Sequence, residues 1–185
     1  HTIVKEFLDT TVECAVLAVN LSVTGEEEKD KVVSDLITTT LTLARENIPS
    51  ALAAYSHREV VKTTRLLNPR QALIEALSLT REVRISLSPR RYLAVPDVSR
   101  LRANLSRLRR SRLVGTNRLA ELLQLEYTTM AEEARQNPAT AALTTVLARV
   151  KGKVNILVVS ERNHDAGALA FNRHTLEGRG YRFLV

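Results

Sequence analysis

Apolar residues recur at three- and four-residue spacings through most of this chain, the rhythm of helices with one buried face. From Thr2 to Leu21 the positions Ile3, Phe7, Val12, Ala15, Val16 and Val19 keep that rhythm and predict a first helix. Thr24-Gly25 then interrupts the pattern, and Glu26, Glu27 and Glu28 follow where the positive end of a helix dipole favours carboxylates. The second helix runs through Val32, Leu36, Ile37, Leu41 and Ala44 to Asn47. It stops before Pro49, because proline has no N–H to donate and disfavours helical geometry in the residue before it. A third helix is predicted from Ser50 to about Leu67.

Asn68-Pro69 is a stop–start signal, a capping side chain followed by the residue best suited to the first helical position. It predicts a helix over Pro69–Arg81 with Ala72, Leu73, Ala76 and Leu77 on one face. Val83–Leu87 alternates and reads as a short strand or extended chain. Pro96-Asp97 opens an Arg-rich helix that Gly115 would close as a C-terminal cap. Further helices are predicted from Thr116 to Asn137 and from Ala139 to Val150. Val154–Val159 is a β-branched run between Gly152 and Ser160, so it reads as a buried strand. Ala166–Phe171 suggests a turn of helix, and Tyr181–Val185 a terminal strand. The expected fold is therefore mainly α: a compact bundle of six or seven helices with a small C-terminal β element (strands near 154–159 and 181–185). One domain over 1–185 is expected, with a helical body at 1–151 and a small α/β element at 152–185.

Composition narrows the chemistry. At 185 residues and 44% apolar, the chain suits one globular domain, and its single cysteine, Cys14, excludes an intrachain disulfide framework and a multi-cysteine zinc site. The longest apolar run, Cys14 to Val23, is about half the roughly 20 residues a membrane helix needs. No membrane association is expected. A lone thiol and no secretory pattern favour an intracellular (cytoplasmic) location, or a place within a virion or other large assembly.

Charge changes the picture more. The net charge is +7, yet residues 81–120 hold 11 Arg against Glu82 and Asp97, while residues 1–80 are net acidic. Arginine is always charged, and its planar fork of donors matches phosphate or carboxylate in a bidentate way. At about 100° per residue, Val98, Leu101, Leu105 and Leu108 form one narrow apolar seam, and arginines occupy most of the remaining circumference. Arg100, Arg102, Arg107, Arg109, Arg110 and Arg112 on the helix, with Arg90 and Arg91 on the preceding loop, are the candidate binding residues. The same arginines could instead pair with Glu26–Glu28, Glu121, Glu126, Glu132 or Glu133, within the chain or across a subunit contact.

No catalytic residue, metal ligand or cofactor is expected. Gly152-Lys153 lacks the rest of a phosphate-binding loop, and no dinucleotide fingerprint follows a strand. His57, His164 and His174 are scattered, with no His-x-x-x-His pair. Cys14 lies among apolar neighbours and reads as a small core residue. Two functions are consistent with this. The first is a non-enzymatic helical protein binding nucleic acid (RNA or DNA) through residues 81–118 by phosphate-backbone contacts, as a self-assembling nucleoprotein or structural subunit. Base readout would be slight, since the stretch has few Asn or Gln and only Tyr92 to stack. The second is a helical scaffold or adaptor whose Arg face docks an acidic protein surface or a neighbouring subunit. A homo-oligomer or a part in a larger assembly is expected in either case.

Overall fold

Cys14–Asn20 is apolar at every position but the last, and it forms a strand, β1, not the end of a helix. A computed structural model of the chain describes residues 14–86, 97–111 and 115–184; the part of the expected first helix before Cys14 lies outside them. β1 is buried on both faces along its whole length. A strand covered on both sides by helices has no polar face to alternate with, so it reads as a continuous apolar run. Mixed three- and four-residue spacings can always be picked out of such a run.

The third predicted helix is overturned for a related reason. Ser50–Tyr55 is a second buried strand, β3, and Val60–Thr63 returns antiparallel as β4. Its sequence, SALAAY, is rich in the strongest helix former, but alanine is also small enough to let a helix approach a sheet closely. Burial outweighed propensity. The expected mainly α bundle with a small C-terminal β element is therefore replaced by an α/β fold built on a five-stranded sheet of order β4-β3-β1-β6-β7, where β6 is Val154–Val159 and β7 is Arg182–Leu184. All neighbours pair in parallel except β3 and β4. The strands near the C-terminus are no appendage: β6 runs beside β1 from Cys14–Val154 to Val19–Val159.

Six helices among the described residues complete the fold: α1 (Glu26–Arg45), α2 (Pro69–Thr80), α3 (Val98–Arg110), α4 (Thr116–Gln136), α5 (Pro138–Leu147) and α6 (Ala166–Glu177). Alternation along β1 divides the core. Ala15, Leu17 and Val19 pack with Val32 and Leu36 of α1 and Ala76 and Leu79 of α2. Cys14, Val16 and Ala18 face the other way, with Ala142, Leu143 and Val146 of α5 and Leu169 and Leu176 of α6. A small second sheet pairs Ser22–Val23 (β2) with Arg84–Ile85 (β5), within the segment that alternation marked as extended.

Several helix ends obey the local signals. Asn68 accepts from the N–H of Gln71 at 2.9 Å with Pro69 in the first turn, and Asn137 does the same for Ala139 at 3.0 Å ahead of Pro138. α1 ends at Arg45, and Asn47 just beyond it takes a left-handed turn (φ 53°) while the N–H of Ile48 reaches back to the carbonyl of Leu43. Gly115 differs from expectation. It stands directly before α4 with φ 92°, five residues beyond the end of the Arg-rich helix, and so starts a helix where it was expected to close one. α6 is longer than the single turn expected, because Leu169, Asn172 and Leu176 all find cover against the sheet face and α5.

Candidate functional site

The Arg-rich segment forms helix α3, with Asp97 capping it by accepting from the N–H of Arg100 at 2.9 Å. Val98, Leu101 and Leu105 are buried as the seam required, and Leu108 is half-buried. α3 packs beside α4 and touches α6, on the outside of the α5–α6 layer. Arg100, Arg102, Arg107, Arg109 and Arg110 are all exposed. The guanidinium of Arg102 meets Nε2 of His174 on α6; since guanidinium can only donate, that ring nitrogen accepts. Arg109 donates to Oε1 of Gln124 at 2.7 Å, and Arg110 donates to the hydroxyl of Ser106 at 2.8 Å. None of these five pairs with a carboxylate among the described residues. Arg90, Arg91 and Arg112 lie outside the described residues.

The topology marks a second place. From β1 the chain moves to β3 on one side and later to β6 on the other, so the strand order reverses at the C-terminal ends of β1 and β6. Open α/β sheets place ligands at such a reversal. A polar cluster sits there. Asn20 is buried; its amide donates to Ser160 Oγ at 3.2 Å, and its oxygen accepts from the N–H of Ser22 at 3.0 Å and from Nε2 of His164 at 3.1 Å. Ser22 Oγ accepts from the N–H of His57 at 3.0 Å and stands 3.2 Å from that ring's Nδ1. Arg58 donates to Nε2 of His57 at 3.0 Å, which leaves the ring proton on Nδ1. Across the gap, Glu161 accepts from both the N–H (2.7 Å) and the hydroxyl of Thr24, tying the end of β6 to the start of α1.

The deepest members are Tyr55 and Asp165, both fully buried. The phenol and the hydroxyl of Ser160 each donate to Asp165 Oδ2 at 2.7 Å, while Oδ1 is buried without a partner among the described residues. Burial first, and the Asp165 carboxylate second, push the Tyr55 phenol well above its usual range. With the unfolded phenol near its ordinary ~10, the stabilisation is full below that pH and is lost as pH rises toward the folded value. Of the four tyrosines, one should therefore stay protonated in alkali until the chain unfolds. Following the tyrosinate absorbance beside far-ultraviolet circular dichroism checks this; four phenols ionising before any loss of helix would refute it.

The cluster is not announced by the sequence, because its parts come from three separate segments, 20–24, 55–58 and 160–165. One signal was present: Asn20, Ser22 and Thr24 alternate directly after an apolar run, as polar residues at a strand's exit would. It becomes legible only once β1 is known to be a strand. Chemically, Ser22 beside His57 supplies two parts of a nucleophile relay, but the far nitrogen of the ring meets Arg58 where a relay would have a carboxylate. Ser22 is also buried, and Asp165 is committed to Tyr55 and Ser160. The cluster is a cross-link between strand ends. Among the described residues no group of three or more His, Cys, Asp or Glu could hold a metal ion, and no helix is long and apolar enough to cross a membrane. No protein-family model matches this chain, and comparisons with curated proteins and with solved structures return no match.

Proposed function

We propose that this chain is a non-enzymatic docking module that binds a polyanionic macromolecule, the phosphate backbone of nucleic acid, through helix α3. The observation that carries this reading is the exposure of five arginines on one helix whose guanidiniums make no ion pair with a carboxylate among the described residues. Guanidiniums neutralised from within would have nothing to offer a ligand. Here Arg109 and Arg110 are held by neutral partners, Gln124 and Ser106, which leave their charge intact, and Arg102 meets the ring of His174. Affinity would come from arginine forks and counterion release, with little preference for base sequence.

An acidic protein face is the second reading. It is favoured by α3 carrying no aromatic residue on which a base could stack. Anisotropy titrations of labelled duplex DNA, single-stranded RNA and a poly-glutamate peptide separate the two. Nucleic-acid binding through about five phosphates should give a log–log salt slope of roughly −3.5 to −4.5. The combined variant Arg100→Gln, Arg107→Gln, Arg110→Gln should flatten that slope by about 2–3 units, with helicity unchanged. Binding of the peptide alone would move the assignment to an acidic protein; binding of none of the three probes would remove the docking role.

A further inference from the structure

Helices α5 and α6 both end on exposed cations, at the end of the sheet opposite the polar cluster. Arg149 and Lys151 stand on the loop from α5 into β6, and Arg179 on the turn from α6 into β7. β6 and β7 run parallel with Asn155 opposite Arg182, so the segments that enter them emerge side by side, about 5 Å apart as neighbouring strands are. Both segments are held by their backbones. The N–H of Arg149 donates to the carbonyl of Val146 at 2.9 Å, and those of Arg179 and Gly180 donate to Leu176 and Glu177 at 2.9 and 3.0 Å. Arg149, Lys151 and Arg179 make no ion pair with a carboxylate among the described residues, and Glu177 accepts from Arg173 at 3.0 Å. The negative end of a helix dipole accounts for one cation after each helix, but it fades within a turn and does not account for Lys151 as well.

We propose that these two segments, 149–151 and 178–180, form a second anchor for the phosphate backbone bound by α3. Nucleic acid would then run from α3 over the end of α6 to this end of the sheet. The proposal rests on the reading of α3 above and extends its footprint. Continuity selects the occupant. Arg102 of α3 meets His174, which lies about one turn, roughly 5 Å, before the Gly178 where α6 ends. The two cationic groups therefore occupy adjoining parts of one surface. A duplex carries one negative charge per roughly 1.7 Å of its axis, so it presents phosphates to both groups wherever it lies. An acidic peptide carries its charges on spaced side chains and would have to match both groups at once. Once α3 holds the backbone, the second contact forms within a single complex and adds affinity at little further entropic cost.

DNA hairpins with stems of about 5 and about 15 base pairs, roughly 17 and 51 Å long, test this. α3, with 13 residues, is about 20 Å long and covers the shorter stem by itself. The combined variant Arg149→Gln, Lys151→Gln, Arg179→Gln should weaken the longer stem by about tenfold or more and flatten its log–log salt slope by about 2–3 units. Affinity for the shorter stem should stay within about twofold, since charges beyond a screening length of a bound ligand contribute little. All three side chains are exposed, so circular dichroism should match the parent. An unchanged slope on the longer stem overturns the proposal. So does an equal loss on both stems, which a general loss of positive charge would give. A variant that keeps both stems but loses the poly-glutamate peptide assigns these segments to an acidic protein instead. The α3 variant is read on the shorter stem: binding that survives it removes the α3 assignment, whereas a loop variant without effect removes the second anchor alone.

Discussion

Leu17→Ala is expected to cost about 3–4 kcal/mol and to lower the melting temperature by roughly 10 °C. Leu17 is fully buried at the middle of β1, level with Leu52 of β3 and Leu157 of β6, in the cluster that holds Val32 and Leu36. Three elements converge on that side chain, so collapse around the missing atoms is restricted and much of the cavity should persist. Ile74→Ala is the control: Ile74 is 59% exposed on α2, and the change should stay within about 0.5 kcal/mol. Urea unfolding of both variants gives the comparison. Equal costs would mean that β1 is not the spine of the sheet.

Tyr55→Phe should be the second most damaging change, at about 1.5–3 kcal/mol, although it removes one oxygen and preserves the ring. The phenol is one of two donors to Asp165 Oδ2, and Oδ1 already has no partner among the described residues. Deleting it leaves a buried carboxylate held by Ser160 alone. Asp165→Asn should reduce that penalty, because a neutral amide is less costly to leave undersatisfied. A double-mutant cycle on the two positions should therefore show a coupling of about 1–2 kcal/mol. Additivity would mean that the strand-end cluster does not act as one network, and that Asp165 is held by other means.

These two experiments fall on residues whose importance is unequally visible in the chain. Leu17 is apolar within an apolar run, and its burial is foreseeable even when the element is misread as a helix. Tyr55 and Asp165 are separated by 110 positions, and nothing local to either announces the other. The Arg-rich helix stands between these cases. Its start at Asp97 and its buried seam follow from spacing, because they are properties of consecutive residues, whereas its end at Arg110 does not, since Gly115 was expected to close it. Whether its arginines meet internal carboxylates depends on which elements lie beside it, and α4 and α6 present Gln124 and His174 there.

By itself the sequence determined the helices whose boundaries are written in caps and prolines, α1, α2 and α5, and the start of the cationic α3. It also determined the buried strand at Val154–Val159 and the concentration of positive charge between residues 81 and 120. Tertiary structure alone decided that Cys14–Asn20 and Ser50–Tyr55 are strands, that β6 joins β1 in one sheet, and that the polar exits of those strands meet. The physical reason is the same throughout. Caps, turns and helical faces are satisfied by near neighbours, whereas a strand buried on both sides takes its hydrogen bonds and its cover from distant segments, and its own residues need only be apolar and small enough to fit.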